Sequence, residues 1–342
     1  MKFLKEINYQ HMANYSSNVS VIGAGSWGTA IVSILSRNIE LFWWVRREEQ
    51  INQIKKKQRN TRYLPNCLLN TEKIELTTDL DQALNSSDFI IIATPSEYLC
   101  DLFDKRAHLL SNKTIISAVK GVITKSNLTP QKYFLNLNSS ISYGVISGPC
   151  HAEEVAMNKK SYLTLSINDQ RTSKFLTNIF STNDIRIKIS NDVTGTELSA
   201  ILKNVYALIT GVSHGLGYGD NFLAVLITAC AKELEKVLFS LDRKERSISQ
   251  SAYLGDLLVT CYSSHSRNRR FGAYIGAGYS IDSTKSVMNM VAEGYNATYC
   301  LYHMLKENNF IINAPIIKSS YNILYMDSDP SKEIENLSNL IS

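Results

Sequence analysis

Residues 19–28 constrain this chain more than any other stretch. Val19-Ser20-Val21-Ile22 reads as a short strand, and Gly23-Ala24-Gly25-Ser26-Trp27-Gly28 follows it directly. A strand that ends in G-x-G-x-x-G and runs into an apolar helix, here Ser26–Ser36, has few folds open to it. Gly23 permits a tight turn, Gly25 lets a phosphate approach the backbone, and Gly28 lets helix and strand pack closely. The helix N-terminus then offers free N–H groups and the positive end of its dipole to an anion. The segment therefore predicts a parallel α/β sheet that holds the pyrophosphate of a dinucleotide.

The rest of the first half fits that sheet. Glu40–Val45, Asp88–Ala93, Thr114–Val119 and Ser142–Ile146 are further apolar runs. Continuous rather than alternating apolar character predicts strands buried on both faces. From Gly195 the pattern changes: Thr196–Gly211, Asp220–Leu241 and Ser286–Glu307 read as helices, with Gly215–Gly219 as a connector. The turn-rich Ser190-Asn191-Asp192 marks the change. The reading is an α/β chain with an N-terminal Rossmann-like doubly wound sheet over 19–192 and an all-helical domain over 193–342. A length of 342 residues suits two cores. Residues 1–18 are expected to be a polar extension without the apolar core of a secretory signal, and Met12 is a possible alternative start.

Composition closes several other routes. The net charge is +5 and 20% of residues are charged. That suits anionic metabolites but supplies no dense basic stripe for a nucleic acid. The run Lys55–Arg59 reads as a solvated face. Six cysteines stand at 67, 100, 150, 230, 261 and 300, each more than thirty residues from the next. No CxxC or zinc-ligand spacing exists, and scattered thiols fit a reducing compartment. No run reaches the roughly 18 apolar residues of a membrane helix, so the expectation is a cytoplasmic protein without membrane insertion or metal. His151, His214 and His265 have no partner at metal-ligand spacing and read as bystanders. No Ser-His-Asp or HExxH pattern is present.

Residues with site chemistry cluster after the strands. Val45-Arg46-Arg47-Glu48-Glu49 ends the second strand. A site selective for NAD usually places an acidic residue there, about 20 residues after the glycines, for the ribose 2′-hydroxyl. Arginines at that point can pair with a 2′-phosphate and favour NADPH, while Glu48 and Glu49 keep NADH open; two simply solvated arginines are the plain alternative. Lys120-Gly121 and Ser147-Gly148-Pro149 follow later strands, where ligands of open α/β sheets bind.

A ketone that accepts hydride develops negative charge on its oxygen and needs a proton donor. Lys203, flanked by Ile201, Leu202 and Val205, is a candidate if buried, with a depressed pKa; otherwise it snorkels from the helix flank. Leu254-Gly255-Asp256 adds a carboxylate. Ser266-Arg267-Asn268-Arg269-Arg270 is either a phosphate clamp or an exposed basic loop.

Taken together these segments resemble the NAD(P)-dependent glycerol-3-phosphate dehydrogenases of bacterial type. The likeness runs from Val19 to about Tyr325. It rests on Gly23–Gly28, Val119-Lys120-Gly121, Ser147-Gly148-Pro149 with Ala152–Val155, Leu202–Ala207, Leu254–Asp256, Ser266–Gly272 and Val291–Gly294. It implies reversible reduction of dihydroxyacetone phosphate to sn-glycerol 3-phosphate for glycerophospholipid synthesis, commonly by a homodimer. It implies that Ser26 and Trp27 contact the pyrophosphate, with Arg46 and Arg47 near the adenosine ribose. Lys120 would touch cofactor and substrate. Gly148 and Cys150 would line the substrate pocket, with Ala152 at the cofactor. Lys203 would be the general acid, Asp256 would hold Lys203 or a substrate hydroxyl in place, and Ser266, Arg267 and Asn268 would bind the substrate phosphate. Arg267, Val291 and Glu293 would also approach the cofactor.

The chain departs from that family at two places. Cys150 stands where Ser or Thr is usual, and Gln250-Ser251-Ala252-Tyr253 replaces a glycine-rich run. A hydroxyacid or 6-phosphogluconate-type dehydrogenase would need another loop in place of Ser266–Gly272. A non-catalytic dinucleotide sensor would be marked by loss of Lys120, Lys203 or Asp256, and all three are present.

Overall fold

The computed structural model describes residues 18–288 and 292–341. Val291, expected over the nicotinamide, lies outside the described residues. Eight strands form one sheet in the order β3-β2-β1-β4-β5-β6-β7-β8. They are β1 (Val19–Ile22), β2 (Leu41–Trp44), β3 (Ile74–Thr77), β4 (Phe89–Ile92), β5 (Thr114–Ser117), β6 (Ser142–Ser147), β7 (Ser161–Ser166) and β8 (Ile185–Ser190). All neighbours pair in parallel except β6 and β7, which run antiparallel. Val21 sits centrally, paired with Trp43 on one side and Ile91 on the other.

The five strands read from apolar runs are present, and β1 and β4 are buried at every position. Three more were missed. Their residues alternate instead of forming apolar runs: Ile74-Glu75-Leu76-Thr77, Tyr162-Leu163-Thr164-Leu165 and Ile185-Arg186-Ile187-Lys188-Ile189. Two of them, β3 and β8, are the edges of the sheet. In β3 and β8 one face is solvated, with Glu75, Arg186 and Lys188 exposed, so alternation is their proper signal.

From β1 the chain winds outward through β2 to β3, then crosses back to β4 on the other side of β1. Beyond the carboxyl ends of β1 and β4 this reversal opens a crevice, the usual ligand position in such sheets. Apolar clusters fill both faces: one gathers Ile31, Trp43 and Ile91, the other Ile22, Ile92 and Phe103.

The helical half begins at Val193, two residues after Asn191, and its axis is the long helix Val193–Gly215. Asp192 caps it, accepting from the Gly195 amide at 3.3 Å. This helix is buried along nearly its whole length beneath Asp220–Asp242, Asp256–Tyr262, Arg267–Gly276, Glu293–Glu307 and Pro315–Tyr325. Its closest neighbour is Arg267–Gly276. A Cβ at Gly211 would overlap the Arg269 carbonyl, and one at Gly272 would overlap the Leu208 carbonyl. Glycines on both helices therefore let the two backbones touch, and that contact fixes where residues 266–268 sit relative to Lys203. The single helix expected over Ser286–Glu307 is instead two, Ile281–Met288 and Glu293–Glu307, with Ala292 extended. That break brings Glu293 to a helix start, where it faces the sheet.

Candidate active site

A cleft of about 1080 Å³ lies between the carboxyl ends of the strands and the helical half. Its glycine wall is built as the sequence implies. Gly23 has φ +120°, and a Cβ there would lie 2.6 Å from the Ala93 carbonyl oxygen. Gly28 is hidden from the cleft, since a Cβ there would overlap the Gly23 carbonyl. Gly25 borders the cleft, and nothing lies within 4 Å of where its Cβ would be. The loop is strapped from behind: Asn60 Nδ2 donates to Ala24 O at 2.9 Å, and Trp43 Nε1 donates to Gly23 O at 2.9 Å. Trp27 borders the cleft with its Nε1 buried and unpartnered. An open glycine, a free indole N–H and a helix N-terminus together fit the pyrophosphate of a dinucleotide.

Farther along, Arg46 and Arg47 border the cleft, joined by Arg62, Tyr63, Gln50 and Tyr98, which the sequence reading did not single out. The Arg46 guanidinium lies 5.4 Å from the Tyr98 ring centroid, a cation–π distance. Residues 94–98 follow β4, so the rule placing ligands beyond strand ends could have pointed to them.

The opposite end holds the polar core. Lys203 is 3% exposed and Asp256 1%. The Lys203 ammonium donates to one Asp256 carboxylate oxygen, and Ser147 Oγ donates to the other at 3.1 Å. Thus the lysine is buried rather than snorkelling. Burial chiefly, with help from the nearby Lys120 charge, lowers its pKa to about 8 against the raising effect of Asp256. Lys120 follows β5, its carbonyl accepts from Asn204 Nδ2 at 2.7 Å, and its Nζ lies 5.4 Å from the Trp27 ring centroid.

Ser266, Arg267 and Asn268 stand at the N-terminus of the helix Arg267–Gly276, not in a loop. Ser266 caps it, accepting from the Arg269 amide at 3.3 Å. Asn268 Oδ1 accepts from the Gly294 amide at 2.9 Å, which leaves its amide protons for a ligand. The helical turn sends only Arg267 of the three arginines to the cleft; Arg269 and Arg270 do not border it. Glu293 accepts from Ser96 N at 3.1 Å and from Ser96 Oγ at 2.7 Å, and burial holds its carboxyl above the usual range.

Two expected pocket residues differ in place or use. Gly148 does not border the cleft; its φ is +125°, and a Cβ would lie 2.6 Å from the Tyr162 carbonyl oxygen, so it serves the turn after β6. Cys150 and Ala152 do border the cleft. The Cys150 thiol donates to Tyr162 O at 3.2 Å, and burial pushes its pKa up to about 12. His151 and His265 both border the cleft with ring centroids 5.9 Å apart, and burial lowers the His151 pKa. Among the described residues no group of three or more His, Cys, Asp or Glu could hold a metal, and no helix is long and apolar enough to cross a membrane.

A dinucleotide cradle at one end of a cleft and a buried lysine–carboxylate pair at the other define a dinucleotide-dependent oxidoreductase. Comparison with known proteins narrows the class. Residues 18–173 match the N-terminal family model for NAD-dependent glycerol-3-phosphate dehydrogenase, and residues 192–335 match the C-terminal one. The chain belongs to the NAD-dependent glycerol-3-phosphate dehydrogenase family. It is 33% identical over 324 residues to the glycerol-3-phosphate dehydrogenase [NAD(P)+] of Syntrophomonas wolfei, covering 93% of this chain and 94% of that one. It is 34% identical over 326 residues to that of Bacillus pumilus, covering 93% of each. The crystal structure of the Coxiella burnetii glycerol-3-phosphate dehydrogenase superposes with TM-score 0.88 at 29% identity, over 94% of this chain and 98% of that one.

Proposed function

We propose that this protein reduces dihydroxyacetone phosphate reversibly to sn-glycerol 3-phosphate with NADPH, and that Lys203 moves the proton. The observation that carries the assignment of Lys203 is its burial against Asp256 in the same cleft as the open Gly25. A lysine whose pKa has fallen to about 8 is matched to proton transfer near neutrality.

When bound, the reduced nicotinamide supplies hydride to the C2 carbonyl. Lys203 gives its proton to the oxygen that gains negative charge there, and in the reverse direction takes it back. Asp256 holds the ammonium in place, and Ser147 fixes the far carboxylate oxygen so that Asp256 cannot swing away. Lys120 adds positive potential at the cleft. Arg267, with Ser266 and Asn268 at the helix start, provides the charge and donors for a phosphate dianion. Arg46 and Arg47, with Arg62, give the adenosine end a positive lining that suits a 2′-phosphate. The sheet domain over 19–192 thus holds the dinucleotide and the helices of 193–342 bring the proton donor and anion site.

The test is nicotinamide absorbance with dihydroxyacetone phosphate, run separately with NADPH and NADH. Oxidation of NADPH that vanishes with unphosphorylated dihydroxyacetone is the expected result. Faster turnover with NADH overturns the reading of the arginines. No turnover from folded, cofactor-binding protein overturns the reaction.

A further inference from the structure

Tyr253 is 3% exposed and its ring packs in the core of the helical half. Its hydroxyl donates to Asp192, the residue that caps the helix carrying Lys203. The Asp192 carboxylate also accepts from Arg246 Nε at 2.6 Å and Nη2 at 3.1 Å, and from Lys244 at 3.4 Å. Tyr253 itself lies in the wide turn Ser251–Gly255, which runs without interruption into the helix beginning at Asp256. A second link joins the same two elements, since Ser199 Oγ donates to Ala252 O at 3.4 Å.

Lys203 and Asp256 are carried by two separate helices: Asp256 starts its own, whereas Lys203 lies midway along Val193–Gly215. Asp256 is only three residues from Tyr253, and Asp192 begins the helix of Lys203. A turn of five residues with bonds to i+5 is a rare form of helix, found mostly as a single turn and often at functional sites. The residues packed here offer one strong anchor for that turn, the Asp192 carboxylate. Its orientation is in turn fixed by the Arg246 fork.

We propose that Tyr253 is a positioning residue for the reaction: its hydroxyl pins the turn that delivers Asp256 to the cap of the Lys203 helix, and so holds the lysine–carboxylate pair in contact. The inference rests on the reading of Lys203 as the proton donor. Tyr253 does not border the cleft and acts through the placement of Asp256.

The experiment is the pH profile of kcat for reduction in the wild type, Tyr253→Phe and Tyr253→Gly, with thermal midpoints measured alongside. Tyr253→Phe keeps the packed ring and loses only the hydroxyl. The expected result is a loss of kcat of about three- to tenfold, as for a small misplacement of catalytic groups. The alkaline limb, set by Lys203, should move to lower pH, because a retreating carboxylate stops favouring the ammonium. The KM for NADPH should stay unchanged. Tyr253→Gly should move the limb at least as far. If Tyr253→Phe melts earlier while its limb and kcat match the wild type, the hydroxyl serves stability alone and the proposal fails. If the wild type itself shows no limb near pH 8, the assignment of Lys203 fails first, and the role of Tyr253 with it.

Discussion

Glu293 fills the space that a side chain at Gly121 would need. A Cβ at Gly121 would overlap the Glu293 carboxylate, and Ser96 Oγ would lie 2.5 Å from it. That carboxylate accepts both the amide and the hydroxyl of Ser96. One glycine therefore lets the loop after β5, the loop after β4 and the start of a helix in the other half meet at a point on the cleft wall.

Gly121→Ala should displace Glu293 and break both bonds to Ser96. Those bonds shape the cleft wall and do not touch the cofactor directly, so their loss is expected to weaken cofactor binding indirectly, by about tenfold (about 1.4 kcal/mol). Quenching of tryptophan fluorescence by NADPH measures it, since Trp27 borders the cleft. Unchanged affinity would show that the Ser96–Glu293 link does not shape the cofactor site.

Lys203→Ala should lower kcat by at least about 100-fold while NADPH still binds, because a positioned proton donor contributes about 10²–10⁴-fold. Steady-state kinetics and fluorescence titration separate the two effects. A variant with near-normal kcat would sink the role assigned to Lys203.

The direction of pH dependence follows from the lowered Lys203 pKa, about 8. Reduction needs the ammonium, so kcat for reduction should be level below about pH 7 and fall above pH 8. Oxidation of glycerol 3-phosphate needs the neutral amine and should rise over the same range. Asp256→Asn removes the charge that raises the lysine's pKa, so its limb should move to lower pH. A shift to higher pH would contradict the raising effect assigned to the Asp256 charge.

Arg47→Ala should lower the ratio of kcat/KM for NADPH over NADH by about tenfold or more, the usual strength of a charge-assisted contact to phosphate. Competition assays with the two cofactors read the ratio directly. If both cofactors lose equally, Arg47 contributes only general positive potential.

Asp192 predicts acid sensitivity. Its bonds to Arg246 and Tyr253 and the Lys244 charge overcome burial and lower its pKa to about 2. A depressed carboxyl stabilises the fold above its unfolded value, and the contribution is lost as pH falls from about 4 toward 2. The amount is about 2 kcal/mol at neutral pH. Asp192→Asn should unfold earlier in urea at pH 7, and the gap to the wild type should narrow at pH 3. A constant gap would mean that the charge contributes nothing to stability.

What the sequence determined by itself was local. The turn Gly23–Gly28 and the strands β1, β4 and β5 could be read because their signals lie within a few residues: glycines where backbone must approach backbone, and apolar runs where both faces are covered. Edge strands β3 and β8 carry an equally local signal, alternation, rather than an apolar run. Tertiary structure alone decided the rest. Whether Lys203 is buried or snorkels depends on Asp256, 53 residues away, and on which helices cover it. Which arginine of residues 267–270 faces the cleft depends on the helix they start and on its glycine contact with Val193–Gly215. In the sequence Tyr253 is only part of a departure from a glycine-rich run, and only the placement of Asp192 gives its hydroxyl a partner. Charges and hydroxyls act through neighbours that the fold brings from distant segments, whereas turns and strands are shaped chiefly by residues beside them. Hence the outline of the dinucleotide cradle could be read directly, and the pairings of the proton-transfer site could not.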